Sequence, residues 1–199
     1  MTKTIDFIFD FGSPNAYLAH FVLKDIAARR GAAINRIPCL LGGIFKATGN
    51  QAPMIAFANI KGKREYEALE MTRFIARHKL DRFRLNPHFP VNTLTIMRGL
   101  VAAEMDDVGE PYVKTVLAAM WERGLKMDDP AVIKVALDEA GLPGERLLAR
   151  AGADDVKAKL AANTQAAVER GAFGIPTFFV GEEMFFGKER LGQVEDLLS

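Results

Sequence analysis

Strand-forming character in this 199-residue chain is confined to its two ends. Ile5 to Phe11 is short, aromatic and branched, the pattern of a buried strand, and Ile34 to Pro38 reads as a second. Near the carboxyl end, Thr177 to Val180 and Met184 to Phe186 flank Gly181-Glu182-Glu183, which predicts a hairpin. Between about Leu40 and Asn163 there is almost no strand pattern. Gly42-Gly43 and Gly49 to Pro53 read as loops, and Asn86 to Pro90 as a breaker. Apolar residues recur at helical spacing over 66–79, 93–105, 111–123, 130–140, 146–150 and 154–170. A sheet can then form only if the two ends meet. The expected architecture is α/β, with a discontinuous unit from 1–39 and 164–199 and an all-helical insertion over 40–163.

The first strand runs into Gly12-Ser13-Pro14. Gly12 permits a tight turn, Ser13 is a favoured helix N-cap, and Pro14 is a favoured first helical residue. Tyr17, Leu18, Phe21, Val22 and Ile26 continue a helix that should end near Arg30-Gly31. Ligands of open α/β sheets bind beyond the carboxyl ends of the strands. A hydroxyl at Ser13, at the positively polarised start of a helix, would stabilise an anion, including a thiolate. Ser-Pro is equally an ordinary helix start. Gly174-Ile175-Pro176-Thr177 places a proline at the entry to a strand. A cis bond before Pro176 would reconcile it with the ladder and leave the Ile175 backbone open to an extended peptide, although a plain trans turn also satisfies the sequence. Phe186-Gly187-Lys188-Glu189-Arg190 opens the last helix. Lys188 and Glu189 suit the carboxylate and amino group of a peptide, or simply a solvated first turn.

Lys and Arg number 26 and Asp and Glu 25, so the formal charge is +1, which argues against a nucleic-acid partner or a polybasic membrane contact. The single cysteine, Cys39, excludes an internal disulfide and a C-x-x-C pair. With no histidine beside it, Cys39 reads as a small buried hydrophobe. The three histidines show no metal-ligand spacing, so no metal is expected. The amino end reads as a strand rather than a targeting peptide, and no apolar run spans a membrane. A cytoplasmic enzyme or binding protein is the expectation.

The stretch Phe-Asp-Phe-Gly-Ser-Pro-Asn-Ala-Tyr-Leu-Ala at 9–19, with Thr48-Gly49-Asn50, Phe89 to Thr93, Trp121, Phe173 to Phe178 and Met184 to Leu191, resembles one group along the whole chain. It is similar to the kappa-class glutathione transferase branch of the thioredoxin superfamily, and within it to the 2-hydroxychromene-2-carboxylate isomerases. Family isomerases often carry Trp-Trp-Gly-Asn-Asp-Arg-Leu where this chain has Phe185-Phe186-Gly187-Lys188-Glu189-Arg190-Leu191. The resemblance implies a thioredoxin-like fold, a homodimer and glutathione as cofactor. It implies that Ser13 holds the glutathione sulfur as a thiolate, the nucleophile. The Ile175 backbone before Pro176 would pair with the cysteinyl unit. Phe186, Gly187, Lys188 and Glu189 would hold the γ-glutamyl end, with Asn50 and Lys61 reaching in from the insertion. The substrate would be a small aromatic carboxylate, opened by thiolate addition, bond rotation and elimination. Lys46, Asn59, Lys61, Lys63 and Asn92 are candidates to meet it. Solvated surface is the alternative for the lysines, helix capping for Asn92, and core packing for Trp121. A transferase would use the same cofactor site, and a non-catalytic thioredoxin-fold binding protein remains a third reading. Thiol–disulfide exchange needs two thiols at the helix start, and Ser13 and Ala16 supply none.

Overall fold

The computed structural model describes residues 3–198. Strand β1 (Thr4–Phe9), helix α1 (Pro14–Arg30) and strand β2 (Ala33–Pro38) form a parallel unit, with Thr4 opposite Ala33 and Phe9 opposite Pro38. Strand β3 (Thr177–Val180) joins the other side of β1 antiparallel, and β4 (Glu183–Phe186) pairs antiparallel with β3. The sheet order is β2-β1-β3-β4, so the two chain ends do make one mixed sheet. The fold is α/β and thioredoxin-like, with a large helical insertion, as expected.

Local chemistry sets most boundaries. Ser13 caps α1 by accepting the Ala16 N–H, and Gly31 ends it in the left-handed region at φ 63°. Phe7 stacks on Phe178 with centroids 5.2 Å apart and meets Phe9 edge-on at 5.3 Å, so β1 and β3 bury aromatic faces against one another. The insertion comprises α2 (Leu41–Thr48), α3 (Pro53–Ala56), α4 (Lys63–His78), α5 (Leu94–Met105), α6 (Gly109–Trp121), α7 (Pro130–Glu139), α8 (Gly144–Arg150) and α9 (Asp154–Glu169). A short 3-10 turn (Lys188–Arg190) and α10 (Leu191–Leu197) close the described chain.

Two sequence expectations are corrected. Gly42-Gly43 lies inside α2 rather than in a loop. The Leu41 N–H at its start is held by a carboxylate, and a Cβ at Gly43 would come within 3.1 Å of the Thr164 methyl, so a glycine lets α2 lie close to α9. The first strand stops at Phe9 instead of Phe11, because Asp10 turns out of the ladder. Helix α9 matches the helix expected over 154–170, its buried Val156, Leu160 and Ala167 lying on one face.

His20 sits on α1, buried between Phe9 and Phe21. Burial first, then the positive charges of Arg36 and Lys24, push its imidazole from 6.5 down to about 3. Between those values the unfolded chain binds a proton that the folded chain does not, so stability falls as the pH drops. Unfolding by urea should show about 2 kcal/mol less stability from this group at pH ~5 than at pH ~7. His20→Gln should flatten that part of the pH dependence. An equal slope in both proteins would contradict a neutral buried imidazole.

Candidate active site

The end of β1 is organised by one carboxylate. Asp10 is fully buried, its Oδ1 accepting the Gly12 N–H at 2.8 Å and its Oδ2 the Leu41 N–H at 2.7 Å. The Thr93 hydroxyl, at the start of α5, is a third partner. Burial raises the Asp10 carboxyl above its ordinary pKa against the pull of these donors. The next residue is held from the insertion as well: the Phe11 carbonyl accepts Trp121 Nε1–H at 2.9 Å, and its N–H points to Met97 Sδ at 3.5 Å. Trp121, at the end of α6, is thus a fully buried tie to the chain just past β1.

This frame presents Ser13. Its Oγ accepts the Ala16 N–H at 3.1 Å and donates to the Ile175 carbonyl at 2.9 Å. The Ile175–Pro176 bond is cis, as the Gly-Ile-Pro-Thr sequence allows. The Pro176 carbonyl accepts the Gly187 N–H at 2.9 Å, with Gly187 at φ 92°. Ser13, Ile175, Pro176 and Gly187, distant in sequence, are therefore joined in one run of contacts.

Asn50 reaches the same turn, its Nδ2 donating to the Phe173 carbonyl at 2.8 Å. Phe173 and Phe186 pack with centroids 4.5 Å apart, and both remain partly exposed. Gly174 is needed between them, since a Cβ there would lie 2.8 Å from the Phe186 ring. Glu189 is half-exposed, whereas Lys188 is buried. The Lys188 ammonium pairs with the Glu189 carboxylate and lies 5.3 Å from the Phe74 ring of α4.

The structure does not bring the other candidates into this run. Lys46, Asn59 and Lys61 are exposed, and among the described residues their side chains make no hydrogen bond with Ser13 or its neighbours. Lys63 pairs with Glu67 and lies 5.0 Å from the Phe57 ring. Asn92 stands one residue before the N-cap of α5, its Oδ1 accepting the Leu94 N–H at 3.0 Å. Cys39 is buried, and its thiol is pushed up to about 12 by burial and the neighbouring Asp10, which keeps it inert.

With fold and site in view, comparison with known proteins is direct. The chain belongs to the DsbA-like thioredoxin domain family, whose family model matches residues 4–199, and within it to the group of 2-hydroxychromene-2-carboxylate isomerases and kappa-class glutathione transferases. It is 30% identical to a 2-hydroxychromene-2-carboxylate isomerase of Sphingobium xenophagum, covering 100% of this chain and 99% of that one. It is 26% identical to Homo sapiens glutathione S-transferase kappa 1, covering 100% of this chain and 92% of that one. Among solved structures, a selenomethionine 2-hydroxychromene-2-carboxylate isomerase superposes with a TM-score of 0.83 at 26% identity, over 98% of this chain and 94% of that one. The relatives support an enzyme of the isomerase or transferase kind acting on a small molecule.

Sequence reasoning passed over Asp10, although an acidic residue between two phenylalanines at a strand end was its signal. Asp10→Ala would leave the part-buried Gly12 and Leu41 N–H groups without this acceptor, each costing up to about 1–3 kcal/mol. The expected loss is about 2–5 kcal/mol in urea unfolding, with a smaller loss for Asp10→Asn, which keeps one oxygen acceptor. A loss below about 1 kcal/mol for Asp10→Ala would mean that the carboxylate is not what holds this turn.

Proposed function

We propose that this protein is a glutathione-dependent isomerase of 2-hydroxychromene-2-carboxylate-type aromatic compounds. The observation that carries the reading is the Ser13 hydroxyl at the start of α1, set against the carbonyl of Ile175 before cis-Pro176. Glutathione, when bound, would supply a thiolate that adds reversibly to a conjugated carbon, so that the ring opens, a bond rotates and the sulfur leaves.

The donor set suits that molecule. An anionic sulfur fits the amino end of a 17-residue helix. A zwitterionic glutamyl end fits a half-exposed Glu189 carboxylate beside the Lys188 ammonium. In the free protein these two groups neutralise one another, which lets Lys188 be buried. Ser13 has one hydroxyl proton, now on the Ile175 carbonyl. Turning that proton to the sulfur would free the carbonyl for a ligand N–H, while the Ala16 N–H stays on Oγ and polarises it. Asn50 steadies the turn through the Phe173 carbonyl. Phe173 and Phe186 offer apolar surface, Phe186 to the γ-glutamyl end. Carboxylate recognition would fall to Lys46, Asn59, Lys61 or Asn92.

The reading carries a cytoplasmic homodimer with it. Support for the dimer is that α4 buries none of its 16 residues within one copy and leaves Tyr66 and Leu69 exposed. No helix of the described residues is long and apolar enough to cross a membrane. A second reading, conjugation of glutathione to a small electrophile, is favoured by the kappa-class relatives. It would employ the same residues.

Calorimetric titration of glutathione, followed by an ultraviolet assay with a chromene carboxylate, tests the proposal. Ser13→Ala should lower kcat/KM by about 10²–10³, the usual effect of losing one donor to a developing anion. Glu189→Ala should weaken glutathione binding by about tenfold, the scale of one hydrogen bond to a charged group. Binding with net consumption of glutathione would favour the transferase, and absence of binding at millimolar glutathione would overturn both readings.

A further inference from the structure

Strand β2 forms one edge of the sheet, and two clefts lie beside it. One, of about 440 Å³, is bounded by Lys24 of α1, Arg36 of β2, Glu104 of α5 and Glu110 of α6. The other, of about 320 Å³, shares Arg36 and Glu104, adds Lys159 of α9 and has Ile37, Pro38 and Ala166 as an apolar wall. Arg36 has donors to spare. Its side chain is only 8% exposed, and its Nη1 donates to Glu110 Oε1 at 2.6 Å. Nε is buried without a hydrogen-bond partner, and Nη2 makes no hydrogen bond among the described residues. Nε–H and Nη2–H run parallel along one edge of the planar guanidinium, the fork that fits the two oxygens of a carboxylate. A buried donor left unpaired opposes folding and calls for a reason outside packing.

The surrounding charges suit an anion. Glu110 is neutralised by Arg36 and by Lys24, the latter at 3.2 Å. Lys159 is exposed and makes no ion pair among the described residues. Glu104 makes none either. Although the residue as a whole is exposed, loss of solvation at its carboxyl pushes it from 4.5 up to about 7, with Arg36 pulling it down, Glu110 pushing it up and Lys159 pulling it down. Near neutral pH this carboxyl can hold a proton and donate it to an anion instead of repelling one. Asp106, two residues on, is paired with Arg146, and His20, which feels Arg36, is neutral in that range.

We propose that the cleft beside β2 binds a small aliphatic carboxylate, its oxygens on the Nε–Nη2 edge of Arg36 and its hydrocarbon body along Ile37, Pro38 and Ala166. The inference does not depend on the glutathione reading. The fork fits a planar acid group, and the aliphatic wall fits a hydrocarbon chain better than a bare inorganic anion.

The test titrates hexanoate into the full chain by calorimetry at pH ~6 and pH ~8, in wild type, Arg36→Lys, Lys159→Gln, Glu104→Gln and Ser13→Ala, with inorganic phosphate as the comparison ligand. Wild type should bind hexanoate about tenfold more tightly at the lower pH, since Glu104 loses its proton as the pH rises through about 7 and then repels the ligand. Glu104→Gln, neutral and of the same shape, should bind equally at both. Arg36→Lys keeps the charge facing Glu110 but removes the fork, and should weaken binding about tenfold. Lys159→Gln should weaken it about threefold. Ser13→Ala should bind as wild type does. If Arg36→Lys does not fold, Lys159→Gln and Glu104→Gln, both at exposed positions, decide. Loss of hexanoate binding in Ser13→Ala would place the ligand at the candidate active site and overturn the proposal. So would absence of binding at about 10 mM hexanoate, equal wild-type affinity at the two pH values, or inorganic phosphate bound as tightly as hexanoate.

Discussion

Everything at the candidate site hangs on the Asp10 carboxylate. One group with two oxygens fastens the turn that carries Ser13, the first N–H of α2 and the threonine that precedes α5. Its bonds cross between a sheet drawn from both chain ends and the long helical insertion. Removing a carboxylate from water is costly, and only several donors converging on it make that tolerable. The same donors leave little freedom to the turn. With the Phe11 carbonyl on Trp121 and its N–H toward Met97, residues 10 to 13 are positioned by α5 and α6 as firmly as by β1. The hydroxyl thus stands on rigid elements, which is what catalytic precision demands.

The two ends of the site handle charge differently. At Ser13 no cationic side chain bonds the hydroxyl among the described residues; the helix start and the hydroxyl supply the dipoles that favour an arriving anion. At the other end Lys188 and Glu189 already carry both signs. A zwitterion can exchange partners there without leaving an unpaired buried ammonium, whereas a ligand with only one charge would strand either Lys188 or Glu189. The lysine is this chain's departure from the Asn-Asp pair often found in family isomerases. Phe74 explains how it is accommodated, since α4 covers the ammonium with an aromatic face.

The fold was largely legible because its signals are local. An apolar strand, a Gly-Ser-Pro start, a left-handed glycine at Gly31 and helical apolar spacing each act over a few residues. The Gly-Ile-Pro-Thr turn was legible too, but the sequence left its proline bond open between cis and trans, and the structure has it cis. What escaped depends on partners remote in sequence. Gly42-Gly43 looks like a breaker until Asp10 caps α2 and Thr164 demands a small neighbour. Lys188 looks like a solvated first turn until α4 folds over it. The site residues divide likewise: Ser13, Ile175, Pro176, Asn50 and Gly187 converge, since each belongs to a turn whose shape is written nearby, whereas Lys46, Asn59 and Lys61 lie on exposed segments whose sequence prescribes no direction.

Isomerase and transferase differ in the fate of the adduct, not in how the thiolate is made. An isomerase must hold the opened adduct long enough for a bond to rotate and then expel the sulfur, which favours a cavity that keeps the product's far end fixed while the reacting carbon turns. A transferase needs only to release the adduct. In the proposed reading, Ser13 and the Ile175 turn would serve the step common to both. The distinction must therefore lie beyond them, where Phe173 and Phe186 form a packed, partly exposed pair. An apolar aromatic pair beside a polar centre is the kind of surface that would grip a flat aromatic ring while leaving its side chain free to rotate.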